Sequence, residues 1–199
     1  MARVLIPFVV LAVMIAAPMA RAQTTAAGPW QQGALFSAFV GAARAASDTS
    51  AVTGVGLGWE VTDHFGLEGR GAWFHPGTGQ SGFAAMLLPR VLFLPSRRAN
   101  PFVAAGVGMY RASFDTVANA MPEFYRRRVT VASPYGQTFD DFMLVAGGGV
   151  DVFASGHLAI RPEVTVQFVM NGSNTRAVPV YGVHLEYHFE SHDTRPSVR

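Results

Sequence analysis

The sequence predicts an all-β chain, an eight-stranded antiparallel up-and-down transmembrane β-barrel, and three observations predict it. Eight segments alternate apolar and polar or small residues with the period of a strand. No stretch of 18 apolar residues follows the first 22, so no helix of the remaining chain can cross a bilayer. Only 14% of the 199 residues are charged and glycine occurs 21 times, much of it on the polar face of the strands. An ordinary soluble domain carries about 25% charged residues. The low count points to a surface that faces something other than water.

Residues 1–22 have the pattern of a secretory signal peptide. Arg3 gives a positive start, residues 4–17 are almost continuously apolar, and Ala20-Arg21-Ala22 forms a small-x-small cleavage site. The apolar run is too short for a spanning helix and contains Pro7. All 15 basic residues are arginine; removing Arg3 and Arg21 leaves 13 basic and 13 acidic side chains. That balance excludes a basic nucleic-acid binder. The absence of cysteine excludes disulfides, thiolate metal sites and cysteine nucleophiles.

Residues 23–190 are expected to form the barrel. The first strand, at 33–41, fits either phase of alternation. In the second, at 51–61, Val55, Leu57, Trp59 and Val61 oppose Gly54, Gly56, Gly58 and Glu60. From Phe65 to Trp73, Phe65, Leu67 and Trp73 oppose Glu68 and Arg70. In the fourth, at 82–94, Arg90 alone marks the polar face. The fifth and sixth, at 102–110 and 143–153, carry Gly106 and Gly108, then Gly147, Gly149 and Asp151, at two-residue spacing. In the seventh, Ile160, Pro162, Val164, Val166 and Phe168 oppose Arg161, Glu163, Thr165 and Gln167. The eighth sets Tyr181, Val183, Leu185, Tyr187 and Phe189 against Gly182, His184, Glu186, His188 and Glu190. Glycine at every second position would weaken a helix by up to about 1 kcal/mol each. Residues 191–199 are a polar C-terminal tail.

Alternation alone does not tell inside from outside, but the character of the polar face does. It carries glycine, a few acids and arginines and no lysine, which suits a crowded lumen rather than a wet surface. The apolar face has aromatic residues near segment ends, where interfacial girdles sit. The predicted links alternate as well: 42–50, 75–81, 113–139 and 170–178 are long, while 62–64, 95–100 and 154–157 are short. Long loops on one side and short turns on the other suit an outer-membrane barrel.

The Gly-x-Gly strands at 54–58, 106–108 and 147–149, with the Tyr-x-Val-x-Leu-x-Tyr-x-Phe run at 181–189, resemble the outer membrane protein beta-barrel domain family, which includes OmpA-like eight-stranded barrels. The resemblance covers about residues 31–190. It implies a bacterial outer-membrane location, contact with outer-membrane lipid and lipopolysaccharide, and a monomer. It also implies that the last strand is recognised by the barrel assembly machinery, a role that falls on Tyr181, Val183, Leu185, Tyr187 and Phe189. In that family the chain commonly ends at the phenylalanine; here a polar tail follows Phe189.

The expected lumen collects Glu60, Glu68, Arg70, Arg90, Asp151, Arg161, Glu163, His184, Glu186 and His188. An eight-stranded barrel is just wide enough to be filled by its own side chains, so these charges are expected to pair and plug it. A small gated pore or apolar-solute transporter of the same fold is the alternative. His184-x-Glu186-x-His188 puts three ligand-type side chains on one face, but same-face neighbours stand about 6.6 to 6.8 Å apart, and hydrogen bonding in the lumen is the expected role. No metal or other cofactor is expected.

Lipid A deacylases among small outer-membrane barrels use a His-x-Ser-Asn element. The nearest stretch, Met170-Asn171-Gly172-Ser173-Asn174, lacks the histidine and suits a loop tip. A lipid-modifying enzyme is therefore the least favoured reading, and a non-enzymatic structural or surface-interaction role through the loops the most favoured. In the longest link, Arg126, Arg127 and Arg128, in the run Tyr125-Arg126-Arg127-Arg128 with Phe124 and Tyr135 nearby, are candidate contacts for lipopolysaccharide phosphates, or else a solvated extension of the strands.

Overall fold

The computed structural model describes residues 33–45, 48–77, 79–95, 97–115, 121–129, 136–172 and 174–189. The expected signal peptide and C-terminal tail, with Tyr135 and Ser173, lie outside the described residues.

Eight strands follow one another: β1 Gly33–Ala45, β2 Asp48–Thr62, β3 Phe65–His75, β4 Gln80–Leu92, β5 Ala99–Phe114, β6 Gln137–Phe153, β7 Leu158–Asn171 and β8 Asn174–His188. A four-residue helix, α1 Glu123–Arg126, lies in the β5–β6 link. Each strand pairs antiparallel with its chain neighbours, and β8 pairs back onto β1, giving a closed barrel. Closure leaves no strand edge unpaired, which is what a hydrocarbon surrounding demands of backbone N–H and C=O groups. An even number of antiparallel strands puts the two chain ends on one side, here called the terminal end; the other is the loop end.

The pleat sends alternate residues inward and outward. In β7, Ala159, Arg161, Glu163, Thr165, Gln167 and Val169 are buried, while Ile160 and Val164 are exposed. The phase of β1, open in the sequence, is settled by its register: Leu35, Ser37 and Phe39 point inward and Phe36 and Val40 outward. Trp59, Phe65, Tyr187 and Phe189 are exposed outward aromatics towards the terminal end, and Trp73 is one towards the loop end, 5.3 Å from Phe83. This outer face is an apolar belt between aromatic girdles.

Two expectations need correction. The links do not alternate long and short. At the loop end 46–47, 76–79 and 172–173 are brief and only 115–136 is long, while at the terminal end 93–98 exceeds both 63–64 and 154–157. The ladders continue past the apolar stretches, to Ala45↔Asp48 and Asn171↔Asn174, because polar residues beyond the membrane belt pair as well as apolar ones. Such tight turns need unusual backbone, and Gly172 supplies a φ of 56° at the β7–β8 turn.

The interior is not polar throughout, because the same inward parity also carries large apolar side chains. Towards the loop end Phe39, Val52, Phe74, Met86, Leu88, Met143 and Val145 form a buried apolar cluster. Leu92, Phe102 and Ala104 form a smaller one towards the terminal end. Inward glycines make room for this filling: a Cβ on Gly54 would meet the Phe39 ring and the Gly71 carbonyl oxygen.

Candidate functional site

The ten charged and imidazole side chains expected in the lumen come from six strands. Glu60 comes from β2, Glu68 and Arg70 from β3, Arg90 from β4, Asp151 from β6, Arg161 and Glu163 from β7, and His184, Glu186 and His188 from β8. All ten are buried. Alternation alone brings them together, since inward positions on neighbouring strands stand side by side in register, as Arg161↔His184 does.

Glu68 is the hub. Its Oε1 accepts a hydrogen bond from Ser37 Oγ at 3.2 Å and from Arg70 Nε at 3.0 Å. Its Oε2 accepts from Arg161 Nη1 at 2.8 Å. Arg70 turns its other two nitrogens onto Glu163 as a fork, at 2.6 and 3.0 Å. Arg161 also donates from Nε to Asp151 Oδ1 at 2.5 Å and touches Glu186 with Nη2. Arg90 Nη1 lies 3.7 to 3.9 Å from Glu68, Asp151 and Glu186, and Nη2 lies 3.9 Å from Glu60.

The imidazoles complete the set. His188 has Glu60 at 3.6 Å from Nδ1 and Glu186 at 3.6 Å from Nε2. His184 Nε2 lies 3.6 Å from Glu163, and its ring stacks on Phe39 at 4.5 Å. Phe102 underlies two guanidiniums, with Arg90 at 5.4 Å and Arg161 at 4.9 Å from its centroid. Bidentate and charge-assisted pairs of this kind offset the desolvation of buried ions. Among the described residues no group of three or more His, Asp or Glu side chains is arranged to hold a metal ion.

The network leaves little space. Where the charged layer meets the apolar one, a cavity of about 10 Å³ is lined by Phe39, Arg70, Met86, Glu163, Gln167 and His184 among others. That is room for about one water molecule.

The described part of the long link lies across the loop end. Residues 121–129 fold over the mouth, and α1 places Tyr125 in a cluster with Phe114 and Phe139, which Phe124 and Tyr110 connect to the apolar layer. The three arginines of this link do not converge. Arg126 donates to the Met121 carbonyl oxygen at 3.0 Å, Arg127 pairs with Glu123, and Arg128 turns inward to both oxygens of Asp141 at 2.7 and 2.9 Å. Phe139, Asp141 and Arg176 escaped the sequence reading, which took Tyr125 only as a neighbour of the loop arginines; the apolar and aromatic density of 121–129 is the signal that hints at a buried segment.

The last strand shows its outward face as a row. Val183, Leu185, Tyr187 and Phe189 are exposed and Tyr181 is half-buried, with Tyr187 edge-on to Phe189 at 5.4 Å.

The sequence matches the outer membrane protein beta-barrel domain over residues 8–189. The chain belongs to the outer membrane protein beta-barrel family. Three solved barrels illustrate the shared architecture of this outer-membrane barrel. The N-terminal β-barrel domain of Pseudomonas aeruginosa OprF is 15% identical with a TM-score of 0.55, over 79% of this chain and all of that one. Neisserial surface protein A is 9% identical with a TM-score of 0.59, over 78% and 96%. The attachment invasion locus protein Ail of Yersinia pestis is 10% identical with a TM-score of 0.53, over 81% and 100%. At these identities the likeness shows the fold alone. No curated protein matches the chain by sequence.

Proposed function

We propose that this outer-membrane β-barrel is a closed, non-enzymatic anchor that acts at its loop end, presenting the β5–β6 link to the outside while the barrel wall holds it in lipid. The observation that carries this reading is the filling of the lumen. Ion pairs bridge opposite walls, apolar side chains pack above them, and Tyr125 caps the mouth. A barrel so filled supports display and membrane bracing over passage of solute through the lumen.

In this reading the loop end faces outward and the termini face the periplasm, reached through export by the signal peptide. Lipid and lipopolysaccharide surround the apolar belt, and the assembly machinery takes up the outward row of β8 ending at Phe189. No cofactor is required. Of the three loop arginines, Arg126 alone makes its hydrogen bond to a backbone carbonyl rather than a carboxylate among the described residues, so it is the best placed to meet a lipid phosphate.

The test is conductance. The full chain, reconstituted in planar bilayers, is expected to give no unitary current steps. Steps that scale with protein concentration would replace the anchor by a small channel.

A further inference from the structure

Rings close on one another at the loop end. Tyr125 lies 5.0 Å from both Phe114 and Phe139 and 4.9 Å edge-on from Phe124, and only 3% of it is exposed. A helix of four residues is not held by its own hydrogen bonds, so α1 stays where its side chains fix it. Arg128 is the fixing: it grips Asp141 of β6 and lies 4.7 Å over the Phe139 ring.

A second guanidinium enters the same mouth. Arg176 stands opposite Val169 on the inward side of β8, close enough for its charge to act on the Tyr125 phenol, and makes no ion pair among the described residues. Two guanidiniums and one carboxylate thus border a box of aromatic rings. A flat ring with a negative substituent suits such a box, since the ring gains stacking and the charge gains a planar donor fork. Tyr125 fills the ring position but brings no charge, because a phenol is neutral at neutral pH.

We propose that the mouth is a binding site for a small aromatic carboxylate, and that α1 is its tethered stopper, with Tyr125 occupying the place of the ligand's ring and Arg176 left for its carboxylate. The site goes beyond loop display and needs no path through the barrel, because the ion-paired layer beneath makes it blind. The ligand must displace the chain's own ring, so apparent affinity falls by the fraction of molecules that are stoppered.

The test uses the full chain in lipid nanodiscs and 4-hydroxybenzoate as the probe, followed by calorimetry and ligand-observed NMR. Tyr125→Ser is expected to bind the probe about tenfold more tightly than the unaltered protein. Asp141→Asn, which changes no aromatic residue but releases Arg128 and so loosens α1, is expected to shift affinity the same way. Arg176→Gln added to Tyr125→Ser should remove the gain, and 4-hydroxybenzyl alcohol should not show it. The proposal is overturned if a folded Tyr125→Ser barrel binds no more tightly than the unaltered one, or if the alcohol binds as well as the carboxylate. Should Tyr125→Ser fail to fold, Asp141→Asn decides by the same criteria.

Discussion

Arg161 on β7 and Glu68 on β3 meet at 2.8 Å although their strands stand on opposite walls of the barrel. The contact turns two strands with no shared ladder into a cross-brace. Arg161 also holds Asp151 and Glu186, so one guanidinium ties β3, β6 and β8 to β7.

Removing that guanidinium should be costly. Arg161→Ala removes the cation nearest to Asp151 and Glu186 and one of the two that bond Glu68. Arg90 is left at 3.7 Å or more from all three carboxylates, with Arg70 on Glu68 and His188 3.6 Å from Glu186. The expected loss is about 3 to 5 kcal/mol, read as a lower urea midpoint for the barrel folded in liposomes. An unchanged midpoint would show that the cross-brace carries no stability.

Gly56 makes a second test of the same hub. A Cβ there would stand 2.5 Å from Ser37 Oγ and 2.6 Å from Glu68 Oε1, so a larger side chain must push Glu68 off its arginines. Gly56→Val is expected to cost about 1 to 3 kcal/mol by overpacking. A Cβ on Gly172 meets nothing within 4 Å, so replacement there carries only the penalty of its positive φ. The comparison separates lumen crowding from backbone freedom, and equal urea midpoints for the two variants would deny the crowding.

How much of this was legible follows from what period two encodes. On β7 and β8 it names inward and outward residues one by one, and so assembles Arg161, Glu163, His184, Glu186 and His188 on the lumen side before any contact is known. It is silent on β1, where Ala and Gly leave the two phases alike, and Phe39 is fixed inward only by pairing with Gly54 and His184. It also does not distinguish an apolar lumen residue from a lipid-facing one, which is why the layer around Phe74, Met86 and Met143 came as a correction. Least legible was the mouth. Tyr125, Asp141 and Arg176 come from a link and two strands, and only the folded loop brings them together.

The loop's two ion pairs should behave differently. Arg127 and Glu123 are both largely exposed, whereas the Asp141 side chain is buried under Arg128. Arg128→Gln should therefore loosen residues 121–129 and speed tryptic cleavage at Arg126 and Arg127 by about tenfold, while the barrel stays folded. Glu123→Gln should leave that rate unchanged. The hydrogen bond from Arg127 holds the Glu123 carboxyl below its ordinary value. Any stability from this pair is thus present above the usual carboxylate range and is lost as pH falls through the lowered value. Cleavage should accordingly be flat from neutral pH down to that range, and a rise in wild-type protein below it that Glu123→Gln abolishes would mean the exposed pair holds the loop.

The outer wall offers a prediction that depends on the membrane rather than on the lumen. Val164 points outward near the middle of β7, 47% exposed, and its pairing partners Gly148 and Tyr181 also face outward. Arginine at this depth has no lumen acid within reach and must sit in hydrocarbon. Val164→Arg is expected to lower the free energy of folding into liposomes by about 2 to 4 kcal/mol. Thr49, outward near the loop end of β2 and above the level of Trp73, should accept the same change at about 0 to 1 kcal/mol. The depth dependence is what distinguishes lipid from water, since both sites are exposed and a soluble barrel would gain from the charge at either. Equal tolerance of arginine at Val164 and Thr49 would therefore mean that this face does not meet a bilayer.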